Sequence, residues 1–458
     1  MHCDVIFFSL FRTDNPYSSI SLSMAKELAK TVRVLYVNHP YSLKDIFAGL
    51  KNGDPVLRER LWHLLSFRSR YEFLDSIPEN FVAVTPPPTL PINWLPPGKV
   101  YDFFQKLNNK IVLRTIERAA HKHNFQNYLF INCYDPFYAG WLPPEMGAKA
   151  SIYHCIDDIT QNAYTARHGE RLENEACKNA DITLVTSTNL KRLKELALGS
   201  LGSLGSLGSL GSLGSLGSLG SLGSLGQTTP SRLTNKSVDK RSDDLESSDR
   251  QPRIVTYFNA AEVSVFQKVL TEKYPRPVEL KNHSSQVIGF IGNLDELRID
   301  YPLLKKIALR FPEKTLLLVG PINSAEPAEI GLDKCPNVVF AGSRRLEDLP
   351  PLLQHMDCVL IPFLCNTLTF SIYPLKINEY LAAGKPVVTT SFSDDIRTFA
   401  HCTYLAEDHE HFLQQIEAAL AENNPERIQI RTKLANSNTW KARIQQLWQE
   451  VETMPSFA

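Results

Sequence analysis

No stretch of the sequence approaches the ~20 consecutive apolar residues that a bilayer-spanning helix needs, so the chain is not expected to cross a membrane. The opening residues, Met-His-Cys-Asp-Val-Ile-Phe-Phe, lack a basic leader, a long apolar segment and a small-residue cleavage site. No signal peptide is therefore expected, and the chain is assigned to the cytoplasm, free or peripheral to the inner face of a membrane. Neither sign of charge dominates: Lys+Arg and Asp+Glu both number 49, which gives no reason to expect bulk nucleic-acid binding. The eight cysteines (Cys3, Cys133, Cys155, Cys177, Cys335, Cys358, Cys365 and Cys402) contain no C-x-x-C pair and no Cys/His cluster of zinc spacing. Several sit inside apolar runs and read as small buried hydrophobes in a reducing compartment. A G-x-G-x-x-G loop is missing, which excludes a dinucleotide fingerprint after the first strand. A D-x-D pair is missing too, so no metal site is expected.

What is present is enough for two or three domains: 458 residues, 43% of them hydrophobic. An uninterrupted Leu-Gly-Ser triplet repeat runs from Leu198 to Gly226, and a polar stretch continues it to Gln251. One Leu per triplet cannot bury enough surface to offset chain entropy, so 198–251 is read as a disordered low-complexity insertion. With it set aside, strand-like apolar runs alternate with helical patterns. They occur at Val5–Leu10, Val32–Asn38, Phe81–Thr85, Tyr128–Asn132, Ala150–His154, Ile182–Thr186 and Arg253–Phe258. A second series follows at Val287–Ile291, Thr315–Val319, Val338–Ala341, Cys358–Pro362 and Pro386–Thr390. Continuous apolar strands between helices predict an α/β chain with two Rossmann-like, doubly wound parallel-sheet domains. The expected boundaries are 1–197 for the first, completed by 252–273, then 274–410 for the second, with C-terminal helices over 411–458. The insertion joins a helix end to a strand start, on the side of the sheet opposite the ligand-binding strand ends.

Chemistry concentrates in Ser371-Ile-Tyr-Pro-Leu-Lys-Ile-Asn-Glu-Tyr-Leu-Ala-Ala-Gly-Lys-Pro-Val-Val388. A polar loop feeds a helix whose first-turn amides attract a diphosphate. Lys376 in that turn opposes the helix dipole and suits an anion. Glu379, on the same face, can accept both hydroxyls of a ribose. The alternative is a solvated surface ion pair. In the first half, Asp157 and Asp158 end one strand and Asp135 follows another. Carboxylates there could serve as a general base, or only as helix N-caps. His154 falls inside a strand pattern and reads as core. Arg12–Ser19 reads as a helix-capping loop, or as a polar loop that helps hold an acceptor or a donor phosphate. Leu57–Leu74 combines Arg58, Arg60, Arg68 and Arg70 with Trp62, Phe67, Tyr71 and Phe73, which suits either an anionic membrane interface or a plain amphipathic surface helix.

The Ser371–Val388 segment resembles the nucleotide-sugar motif of GT-B glycosyltransferases. So do Ile288-Gly-Phe-Ile-Gly-Asn293, Leu316–Pro321, Asn337–Gly342 and Asp357–Pro362, while Asn259–Phe266 resembles the connection between their two domains. The resemblance implies a nucleoside diphosphate sugar as donor substrate, no cofactor, no metal, and a polysaccharide-type or lipid-linked acceptor. It implies donor contacts from Gly292, Asn293, Arg298, Ser371, Lys376 and Glu379, with Arg298 and Lys376 on the diphosphate and Glu379 on the ribose. It makes Asp157 the first choice for catalysis, ahead of Asp158 and Asp135. Where many retaining members carry E-x7-E, this chain has Ser371 in place of the first glutamate. Its S-x-x-P-x-K-x-x-E pattern is more like bacterial exopolysaccharide and teichuronic-acid-type transferases, inverting ones included, so retention and inversion both stay open. Two rivals stand beside this reading: a nucleotide-sugar epimerase on the same fold, and an inactive GT-B scaffold in envelope polysaccharide assembly.

Overall fold

A strand covered on both faces is expected to be largely apolar, as Val5–Ser9 is, buried at every position and apolar at the first four. The computed structural model describes residues 3–14, 19–53, 57–58, 66, 68–72, 78–161, 163–203 and 252–457. Its first sheet contains β1 (Val5–Ser9), β2 (Val34–Asn38), β3 (Arg70–Glu72), β4 (Phe81–Thr85), β5 (Tyr128–Cys133), β6 (Ala148–Cys155), β7 (Ile182–Val185) and β8 (Ile254–Thr256). The order is β3-β4-β2-β1-β5-β6-β7-β8, and only the β3–β4 pair is antiparallel. Along β1, Val5 and Phe7 pack with Met24 and Leu28 of the Ile20–Leu28 helix, while Ile6 and Phe8 pack with Val112 and Ile116 of the Lys99–Lys122 helix. Alternate side chains thus fill two different cores.

The second sheet contains β9 (Val287–Ile291), β10 (Thr315–Val319), β11 (Val338–Gly342), β12 (Cys358–Ile361), β13 (Val387–Thr390) and β14 (Tyr404–Ala406). Its order is β11-β10-β9-β12-β13-β14, with every pair parallel. Strand order reverses between β1 and β5 in one sheet and between β9 and β12 in the other. Crevices for ligands form at such points, outside the carboxyl ends of the strands.

Four expectations change. The Val263–Thr271 helix, expected to complete the first domain, buries Val263, Phe266 and Val269 in the second domain's core. The C-terminal helices divide. Phe412 and Ile416 of the His409–Leu420 helix join the second core, whereas Trp440, Leu447, Trp448 and Val451 of the Trp440–Glu452 helix return to the first. Leu198, taken as the start of the insertion, packs with Leu190 and Cys177 at the end of the Thr188–Ser203 helix. Of the insertion itself, 204–251 lies outside the described residues. Within Leu57–Leu74, Leu57 is buried against Tyr41 and Ile46, and Arg70–Glu72 is the edge strand β3, not helix. Arg60, Trp62, Phe67 and Phe73 lie outside the described residues.

Candidate active site between the two domains

The Leu375–Ala382 helix begins at Pro374 with no side-chain cap, which leaves first-turn amides for another partner. It is fixed from below. The fully buried Tyr380 hydroxyl accepts from Ile291 N at 2.8 Å, which ties the helix to the carboxyl end of β9. Asn378 Nδ2 donates to Asn259 O at 3.1 Å, and Asn259 Nδ2 donates to Tyr373 O at 3.2 Å, which ties it to the connection between the domains. On this anchored turn Lys376 Nζ lies 2.7 Å from Glu379 Oε2. Glu379 is only 7% exposed, so the pair is not the solvated surface pair of the alternative reading. Glu379 shares a small cavity with Ser19, Ile20 and Ser23 of the first domain. Ser19 caps the Ile20–Leu28 helix by accepting from Leu22 N at 3.2 Å.

The loop after β9 lies beside this turn. Gly320, at φ +147°, ends β10, and a Cβ there would fall 1.7 Å from Gly292 O, so only glycine lets the two loops pack. Asn293 Oδ1 accepts from Asn323 Nδ2 at 2.8 Å, and Arg298 Nη1 bonds Asp295 Oδ2 at 3.0 Å. Ser371 is buried, and its hydroxyl receives Asn189 Nδ2 of the first domain at 2.9 Å. Further contacts join the domains here: Thr188 N and Oγ1 reach the Asp395 carboxylate at 2.9 and 2.5 Å, and Thr367 Oγ1 reaches Gln161 Oε1 at 3.2 Å.

The three carboxylates of the first domain have different surroundings. Asp157 is half-buried; burial pushes its carboxyl up, the Arg298 guanidinium across the cleft opposes this, and Asp158 adds to it. Asp158 is engaged as a turn cap, accepting from Thr160 N at 3.0 Å, Thr160 Oγ1 at 2.7 Å and Gln161 Nε2 at 3.0 Å. Asp135 is fully buried, with its Oδ2 2.5 Å from His39 Nδ1. His39 was not singled out from the sequence. It follows β2, and only the β2-β1-β5 order brings it over Asp135; the lone signal was a His-Pro step at a strand end. His154 is fully buried in β6, as its strand pattern implies. Among the described residues no group of three or more His, Cys, Asp or Glu is placed to hold a metal, and no helix is long and apolar enough to cross a membrane.

Residues 285–422 match the model of the family described as glycosyl transferases group 1. The matched residues contain β9 to β14 and the whole Lys376–Glu379 turn. The chain is also 27% identical over 225 residues to TuaH of Bacillus subtilis (strain 168), provisionally named a teichuronic acid biosynthesis glycosyltransferase. That match covers 48% of this chain and 55% of the relative, so the chain spans about half the relative's length. Among solved structures, Anabaena Alr3699/HepE in complex with UDP aligns with 98% of this chain and 100% of its own, at TM-score 0.59 and 13% identity. The α,α-trehalose-phosphate synthase (UDP-forming) of Burkholderia vietnamiensis aligns with 99% and 97%, at TM-score 0.65 and 10% identity. At these identities the structures speak for the fold, and that fold is GT-B: two Rossmann-like domains face each other across one cleft.

Proposed function

We propose that the chain transfers a sugar from a nucleoside diphosphate sugar to a polysaccharide-type or lipid-linked acceptor. The observation that carries this reading is the Lys376–Glu379 pair on an uncapped helix N-terminus, buried in the cleft opposite Ser19. A diphosphate at that terminus gains the first-turn amides, the helix dipole and Lys376. Arg298, one loop away, adds a second cation, and Gly292 and Asn293 line the approach. Glu379 then turns its carboxylate to the ribose hydroxyls. Ser371 acts chiefly by holding the loop to Asn189. Of the acidic candidates Asp157 faces the donor side, within the field of Arg298. The name of TuaH supports a cell-envelope polysaccharide acceptor. UDP in HepE supports uridine diphosphate as the first nucleotide to try.

The test is release of UDP from a panel of UDP sugars with glycan acceptors present. Turnover that depends on acceptor, and that Glu379→Ala lowers, is the expected result. Conversion of the free nucleotide sugar without any acceptor would favour an epimerase instead. Peripheral contact of 57–74 with an anionic membrane belongs to the same proposal: vesicle binding should weaken as salt rises, and salt-independent binding would reject it.

A further inference from the structure

The Lys99–Lys122 helix covers one face of the first sheet, yet its start is apolar on the outside as well. The inner face is accounted for: Val112, Ile116 and Ala119 are buried in one core with Ile6, Phe8 and Leu35 of the sheet. The outer face opens with Val100, Phe103 and Leu107, which stand at i, i+3 and i+7 and so form one stripe. They are 60%, 59% and 42% exposed. The same stripe continues as Arg114, Arg118 and His121, all exposed, which is what a helix facing water carries. Exposed apolar surface is thus gathered at one end of the helix, and a patch of that kind marks a place of contact.

The segment leading into this end is stiff and extends the patch. Leu90 N donates to Asn108 Oδ1 and Leu90 O accepts from Asn108 Nδ2, both at 2.9 Å, which pins the segment to the buried side of the helix. Asn93 Nδ2 donates to Tyr164 O at 2.8 Å and Arg167 Nη1 to Trp94 O at 2.9 Å, which pins it to the Ala163–Asn179 helix. Pro91, Pro96 and Pro97 restrict its backbone further. On this loop Trp94 is held 70% exposed. Its Nε1 donates to Pro91 O at 2.8 Å, so the indole can enter an apolar phase with no donor left unpaired. The loop follows the carboxyl end of β4, on the ligand-binding side of the sheet. Leu90 and Trp94 form one edge of a cavity of about 420 Å³ whose lining includes His39.

Charge beside the stripe has one sign, in a chain whose charges balance overall. Lys99, Lys106 and Lys110 lie along its flank, all exposed. Asp102 is the one carboxylate in this half of the helix, and Arg171 takes it up at 2.7 Å. Among the described residues that is the only ion pair the helix makes, so the lysines keep their charge for another partner. A second copy of the chain packed on the stripe about a two-fold axis would set lysines against lysines. A surface of anionic phospholipid instead meets both features: the apolar side chains enter the boundary between headgroups and acyl chains, and the lysines reach the phosphates above them.

We propose that the start of the Lys99–Lys122 helix, together with Trp94, docks this chain on an anionic phospholipid surface. The inference rests on neither the donor reading nor the 57–74 segment. Ser69 Oγ lies 3.4 Å from Thr115 Oγ1, and Lys122 Nζ stands 3.7 Å over the Tyr71 ring. These contacts put Ser69 and Tyr71 beside the far half of the helix, so substitutions address the two regions separately.

Co-sedimentation of the full chain with phosphatidylcholine vesicles, with and without phosphatidylglycerol, tests the proposal. Wild type should bind more tightly when phosphatidylglycerol is present, and binding should fall as salt rises. Joint substitution of Val100→Ser, Phe103→Ser and Leu107→Ser should weaken binding ~10-fold or more, and so should joint substitution of Lys99→Glu, Lys106→Glu and Lys110→Glu. All six side chains are exposed, so the thermal unfolding midpoint should stay at the wild-type value and separate lost docking from lost folding. Trp94→Ala should reduce the blue shift of tryptophan fluorescence on adding vesicles. No vesicle binding, or binding that both joint substitutions leave within about two-fold of wild type, would overturn the proposal. Binding lost only with Arg58→Glu and Arg68→Glu would also overturn it and return the contact to 57–74. Self-association of wild type that the serine substitutions abolish, without vesicle binding, would overturn it in favour of a second copy.

Discussion

Two histidines at strand ends illustrate how burial decides what a residue does. His39 keeps one nitrogen toward a cavity. His154 has none: it is enclosed in β6, with Nδ1 3.5 Å from Cys133 Sγ and the ring edge-on to Tyr257, and burial pushes its pKa from 6.5 down to about 4. A histidine neutral in the fold but protonated in the unfolded chain withdraws stability as pH falls. The loss begins near 6.5 and is complete below about 4. At about 1.4 kcal/mol per unit, this is on the order of 3 kcal/mol. Urea midpoints from pH 7 to 4 should fall more steeply for wild type than for His154→Gln; identical slopes would contradict the assignment. The strand pattern alone marked His154 as core, because its neighbours were apolar at every position. Glu379 and Lys376 were legible from a helix start followed by Ala-Ala-Gly. His39 was not, since its partner lies 96 positions away and is reached only through the strand order. The sequence likewise offered Asp135, Asp157 and Asp158 as equals in type. Packing separates them into a buried support, a half-buried group facing Arg298 and a turn cap.

At the scale of elements, the apolar strands could be read nearly to the residue: Val287–Ile291, Thr315–Val319 and Phe81–Thr85 carry the bounds expected of them. Short edge strands escaped. Arg70–Glu72 has charged residues at both ends, and Tyr404–Ala406 is only three residues long. The helix assignments in the tail were visible, but which core each helix joins was not, because an amphipathic face does not name its partner. One polar clamp holds part of this tail. Arg431, fully buried on the Pro425–Ser437 helix, grips Glu422 through Nη1–Oε1 at 2.5 Å and Nη2–Oε2 at 2.6 Å, and it also bonds Cys402 O and Gly384 O. Gly384 lies just past the C-cap of the Leu375–Ala382 helix, so the clamp braces that helix from behind. Burial acts to raise the Glu422 carboxyl, but the Arg431 guanidinium and Tyr404 hydroxyl outweigh it and hold the group below its ordinary value. Its stabilisation is therefore present above the ordinary glutamate range near ~4.3 and is lost as pH falls through the depressed folded value. Glu422→Gln leaves a buried guanidinium without its counter-charge and should cost about 3–5 kcal/mol in denaturant unfolding. A cost below about 1 kcal/mol would place the pair among the weak surface bridges.

For the whole molecule, the Leu-Gly-Ser repeat raises the question of what can be removed. The Thr188–Ser203 helix ends and β8 begins at the amino-end side of the sheet, where Arg253 Nη1 reaches Thr453 Oγ1 at 2.6 Å, far from the Glu379 turn at the opposite strand ends. Loop closure changes by only about 0.6 kcal/mol per doubling of length. Replacing 204–251 by a short Gly/Ser linker should leave stability and donor affinity close to wild type. A variant that folds normally but loses donor binding would show that this segment reaches the cleft. The two-domain arrangement could be read from alternating strands and helices, whereas the crossing of the C-terminal helix back to the first domain could not. That crossing, with Thr188–Asp395 and Asn189–Ser371, fixes the two halves around one cleft. The central claim is that this cleft binds a nucleoside diphosphate at the Lys376–Glu379 turn. Calorimetric titration of the full chain with UDP, wild type against Glu379→Ala, tests it most directly. Wild type should bind, and the substitution should weaken binding by about 1–3 kcal/mol, or ~5- to 150-fold in Kd. Equal affinities in the two proteins, or no binding by either, would contradict it.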